Sequence, residues 1–147
     1  MSKLTETKRA YDRLTRLLDN EKRSRRGELN ELERYQKTLD VAFYLLGWAQ
    51  FEYLIRQESK EIVEQNSASK KLEQYAWKYL QDNLKDYPVR KRLDLIFHEK
   101  PQVRKALDKD YTIRNDAAHD YKHLPPSAAD VSEWLQHLMN IVDDFER

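Results

Sequence analysis

The chain has 147 residues, a net charge of +1, no cysteine, 2 glycines and 4 prolines. That length suits one domain with a core of its own, and the missing cysteines exclude disulfides, thiolate metal sites and a cysteine nucleophile. The near-neutral balance excludes a global field that would draw the chain to nucleic acid or a membrane, and scarce Gly and Pro beside 36 % charged residues favour amphipathic helices over hairpins.

Residues 3–22 read as a first helix, with Leu4, Tyr11, Leu14, Leu17 and Leu18 on one face. It should stop in the charged stretch that ends at Gly27. A second, longer helix starts near Glu28 and runs out near residues 66–69. Its run from Val41 to Phe51 is apolar almost all round, the mark of a helix at the centre of a bundle. Gly47 lies inside that run, where glycine costs about 1 kcal/mol against alanine; close approach of another helix is one reason to tolerate it. A third helix covers roughly 69–86, with Leu72, Tyr75, Ala76, Tyr79 and Leu80 expected inward, and Pro88 ends it. Residues 89–98 form a short fourth segment carrying Leu93, Ile96 and Phe97. Pro101 then opens a fifth helix to about 121. After Leu124-Pro-Pro126, Ser127 to Asp130 resembles a capping arrangement, and a last helix carries Val131, Trp134, Leu135, Leu138, Ile141, Val142 and Phe145.

The expected fold is all-α: an up-and-down bundle of four main helices plus extra helical segments, one domain over 1–147, with 1–27 as an N-terminal helical extension. Residues 1–37 carry a net charge of +4 and residues 127–147 a net of −4. The basic arm can meet either phosphate or the acidic last helix of its own chain. No apolar stretch approaches a membrane span, and the polar start lacks a signal-peptide core, so a cytoplasmic protein without a membrane partner is expected.

Gly-rich phosphate loops, G-x-S-x-G and H-E-x-x-H are all missing. What stands out is Arg114-Asn-Asp-Ala-Ala-His119, followed by Asp120 and Tyr121. Asn115 and His119 are four apart and share a helix face. Arg114 is turned about 100° from Asn115 but is long enough to swing toward the same place. Arg binds a phosphodiester through two parallel bonds, His exchanges protons near neutrality, and Asn can orient the His or a phosphate oxygen. Such a set can use the ribose 2′-hydroxyl as nucleophile and cut RNA without metal. Ion pairing on a solvated helix face explains Arg and Asp equally simply, and a histidine near a helix C-terminus can serve the helix dipole alone.

Arg114, Asn115 and His119 resemble the R-x4-6-H motif of the HEPN superfamily, in which a polar residue often follows the Arg. The order of elements, with the motif on a late helix before one final helix, is similar too, and the likeness covers residues 30–145. It implies a helical bundle, often a homodimer, acting as a metal-independent endoribonuclease that leaves a 2′,3′-cyclic phosphate, in a toxin–antitoxin or phage-defence setting. Arg114 would bind the scissile phosphate, His119 would move the proton and Asn115 would orient. With Tyr121 the stretch also resembles the R-x4-H-x-Y form of HepT-type toxins, which implies Tyr121 as the site of AMPylation by a nucleotidyltransferase antitoxin. The alternative within the family is a non-catalytic module that binds a nucleotide or a protein.

No cofactor is expected. His119 and His123 are four apart, but the Pro-Pro loop breaks the helix too early for a metal pair. His98 and His137 read as surface or capping residues. The aromatic residues Tyr44, Trp48, Tyr75, Tyr79 and Trp134 fall at core spacing, while Tyr111, three before Arg114, would flank the site. For RNA-backbone binding the candidates are Arg90, Lys91, Arg92, Arg104 and Lys105. Lys22 to Arg26 and Lys70-Lys71 read as solvated charge.

Overall fold

Ser2 begins the first helix: its hydroxyl accepts from the Thr5 N–H at 3.2 Å, satisfying one of the free donors of a helix start. The computed structural model describes residues 2–24, 28–68, 72–119, 124–125 and 128–145, with the backbone alone for Ala117 and His119. Among them are six α-helices: α1 (Lys3–Ser24), α2 (Leu29–Ser67), α3 (Gln74–Asn83), α4 (Val89–Ile96), α5 (Pro101–His119) and α6 (Val131–Phe145). A 3₁₀ turn, Leu84–Asp86, follows α3. The described residues contain no strand, and the all-α class expected from composition stands. No described helix is long and apolar enough to cross a membrane.

By its internal contacts the chain falls into two compact units, one of residues Met1–Phe51 and Ile113–Asp143, the other of Glu52–Thr112 and Asp144–Arg147. In the first, α1 is an integral layer. Leu4, Thr7 and Tyr11 are buried. The Thr7 hydroxyl donates to Gln50 Oε1 at 2.6 Å, and the Tyr11 hydroxyl donates to Asp40 at 2.6 Å. The acidic last helix meets α1 where the Ser132 hydroxyl donates to Asp12 at 2.6 Å. Helix α6 packs on α2 where Gly47 makes room: a Cβ there would lie 2.5 Å from Leu135 Cδ2. The Trp134 ring then stacks obliquely on Tyr44 and Trp48, with centroids 5.7 and 5.4 Å away. The cap of α6 is Asp130, whose carboxylate accepts from the Glu133 N–H at 3.1 Å; Ser127, at the head of the expected capping arrangement, lies outside the described residues.

Helix α2 buries one stripe instead of its whole girth. Tyr44, Trp48, Phe51, Ile55, Ser59, Val63 and Ser67 follow one another at steps of three or four, while Leu46 and Tyr53 face solvent. In the second unit, Phe97 meets Phe145 edge-on at 5.9 Å. Leu93 and Leu107 of the same unit are buried as well. The inward face expected for α3 is overturned. Leu72, Tyr75 and Tyr79 are 83, 72 and 71 % exposed, and α3 has no buried residue. Periodicity locates an apolar face but not what covers it, and nothing in the described residues covers this one. Leu14 and Leu17 on α1 are solvent-facing for the same reason.

Candidate functional site

The motif sits on the last turns of α5, whose backbone stays helical through His119. Asn115 and His119 therefore stand one helical step apart on one face. Arg114 is half-buried, and Asn115 and Asp116 are exposed. Arg114 Nη1 donates to Asn115 Oδ1 at 3.1 Å, so the amide orients its neighbour's guanidinium. The sequence suggested Asn115 as a partner of His119 or of a phosphate oxygen; spacing alone does not reveal its bond to Arg114. The His119 side chain, and Tyr121 and His123 entirely, lie outside the described residues. Tyr111, three residues before Arg114 on the same helix, is buried at 4 % exposure.

The five basic candidates for backbone binding all belong to the second unit. Arg92 is 7 % exposed, inside the fold. Its guanidinium donates to Ser59 Oγ at 3.1 Å, Leu84 O at 2.7 Å and Tyr87 O at 3.2 Å. Arg90 and Arg104 are on the surface but engaged with carboxylates. Arg90 pairs with Asp108 and donates to Thr112 Oγ1 at 2.8 Å. Arg104 Nε donates to Asp94 at 2.5 Å, and its Nη1 lies 3.2 Å from Asp108. The Arg90 hydrogen bond, aided by both positive charges, holds the Asp108 carboxyl down at about 2. Lys91 and Lys105 remain as exposed cations.

The chain finds no match among protein-family models, curated proteins or solved structures. Residue chemistry therefore carries the reading. Among the described residues no three His, Cys, Asp or Glu come together as a metal site. His98 Nδ1 lies 2.9 Å from Leu95 O at the end of α4, a capping position, and the His137 ring lies 5.5 Å from Trp134.

A feature that motif reading missed lies on α2 and after α3. Arg56, Lys60, Lys85 and the edge of Arg92 line one cleft of the second unit. Its only trace in the sequence is the i, i+4 spacing of Arg56 and Lys60, which ordinary solvated helices share.

Proposed function

We propose that the chain is a metal-independent endoribonuclease of the HEPN type, cutting RNA to leave a 2′,3′-cyclic phosphate. The observation that carries this reading is the Arg114–Asn115 hydrogen bond of 3.1 Å, one helical step from His119. A guanidinium held by its neighbour is oriented before substrate arrives, so less freedom is lost on binding a phosphodiester. In the reaction the ribose 2′-oxygen attacks phosphorus as its proton leaves to a base. The 2′-O–P bond forms, the P–5′-O bond breaks, and the departing oxygen takes a proton from an acid. His119 fills one of these proton-transfer roles. Arg114 offsets the charge that gathers on the phosphoryl oxygens in the transition state.

A second copy of the chain supplies the complementary acid or base, making a homodimer the working form. Tyr121, two residues beyond His119, is the AMPylation site in this reading, with a nucleotidyltransferase antitoxin as partner in a toxin–antitoxin or phage-defence setting. The test is cleavage of total RNA in EDTA by wild type and by His119→Ala. Wild type is expected to yield 2′,3′-cyclic phosphate ends and the variant none. Intact RNA after exposure to folded, dimeric wild type would leave a non-catalytic binding module in place of the enzyme.

A further inference from the structure

Arg92 is the one buried charged side chain among the described residues. Its three hydrogen-bond acceptors, a hydroxyl and two backbone carbonyls, are all neutral. A cation taken out of water and held only by neutral dipoles stays uncompensated. Burial, and next the like charge of Arg56, lower its pKa accordingly. Arg92 lines a cleft of about 360 Å³ together with Arg56, Lys60, Lys85, Gln81 and Glu64. Four cations thus face one carboxylate, and Glu64 is itself 3.9 Å from Lys60 on the exposed side of α2. With Leu84, Arg92 also borders a neighbouring hollow of about 290 Å³ walled by Leu80, Tyr87 and Leu95.

We propose that this cleft binds a small phosphorylated molecule, with its phosphate or diphosphate group among Arg56, Lys60, Lys85 and Arg92 and its apolar ring in the hollow beside Tyr87. The surplus of positive charge calls for more than one negative charge on the ligand, which a phosphate monoester or diphosphate carries. Guanidinium groups match the spacing of its oxygens. The volume falls in the range of small-molecule sites, about 300–1,000 Å³. Arg92, only 7 % exposed, is within reach of a group that enters the cleft, whereas an RNA strand follows exposed cations. The proposal stands apart from the nuclease reading and shares no residue with Arg114, Asn115 or His119.

The experiment is calorimetric titration of the full chain at low ionic strength with inorganic phosphate, pyrophosphate, phenyl phosphate and a single-stranded RNA oligonucleotide. It is run on wild type, on Arg56→Gln and on Lys60→Gln/Lys85→Gln. The three substituted residues are exposed, so the variants are expected to fold, which circular dichroism checks. Saturable binding of pyrophosphate, one per chain and weakened about tenfold or more in the double variant, supports the site. Phenyl phosphate is expected to bind more tightly than inorganic phosphate; equal binding overturns the ring position beside Tyr87. No saturable binding to wild type, or binding indifferent to both variants, overturns the site. RNA binding that the variants abolish, with neither pyrophosphate nor phenyl phosphate bound, overturns it in favour of a strand-binding surface.

Discussion

Arg92 on α4 donates a hydrogen bond to Ser59 in α2's buried stripe, across 3.1 Å. Two further bonds from the same guanidinium reach Leu84 O and Tyr87 O, so one side chain fastens α4, the 3₁₀ turn and α2. Arg92→Gln is expected to lose most of this set and strand buried acceptors, costing about 3 kcal/mol in urea unfolding. Ser59→Ala removes one acceptor and should cost about 1 kcal/mol. Arg92→Lys should rescue little, because an ammonium cannot reproduce the planar fork. A full rescue by lysine would show that charge alone matters there.

The chain of Asp94, Arg104, Asp108 and Arg90 sets a pH dependence. The Asp108 carboxyl is depressed from 3.8 to about 2 by the Arg90 hydrogen bond foremost. A depressed folded-state pKa gives stability that is present above the unfolded value and lost as pH falls through the folded one. Asp108→Asn should therefore lower Tm at neutral pH, and its gap from wild type should close as the pH is taken from 3.8 to about 2. A gap that persists at the acid end would mean the carboxylate charge is not what matters.

Gly47→Ala sets two effects against each other. The helix gains about 1 kcal/mol of intrinsic propensity, and overpacking costs about 1–3 kcal/mol. The Cβ would meet Leu135 Cδ2 at 2.5 Å, and Leu135 is fully buried, so it has little room to swing aside. A net loss of stability is expected. Paired with Leu135→Val, the loss should be smaller than the sum of the singles by more than about 0.5 kcal/mol, which a double-mutant cycle in urea reads directly.

At the motif, Arg114→Ala should reduce RNA cleavage by roughly 100-fold or more, the effect of losing a donor to developing charge. Asn115→Ala should cost less, since it frees the guanidinium without removing it. Asn115 is exposed, so its Tm should stay near wild type. Initial rates on a fluorogenic oligonucleotide, with Tm measured alongside, separate the two. Equal losses in both variants would mean that Asn115 does more than position Arg114.

How far the chain could be read in advance depended on whether a signal was local. The boundaries at Pro88 and Pro101 were legible because proline acts within a turn of itself. Gly47 was legible as a close approach, since a helix-interior glycine has few other reasons to persist. The face of α3 was not: Leu72, Tyr75 and Tyr79 have the right period, yet covering them needs a partner that no local pattern encodes. Arg92 sits between Lys91 and Leu93 as one more member of a basic cluster, and only the tertiary arrangement of Ser59 and Leu84 draws it inside. For the motif itself, sequence supplied the residue types and structure added the Arg114–Asn115 bond.

The rings of Trp48 and Trp134, 5.4 Å apart and inclined at 44°, make the core of the first unit optically distinctive. Two buried indoles this close couple their excited states and give a strong near-ultraviolet circular dichroism signal that disappears once α2 and α6 separate. Trp77, half-exposed on α3 in the second unit, lacks such a companion among the described residues and emits at longer wavelength. The chain thus carries separate built-in reporters for its two units, and unfolding followed by dichroism and by red-edge fluorescence reveals whether they melt together.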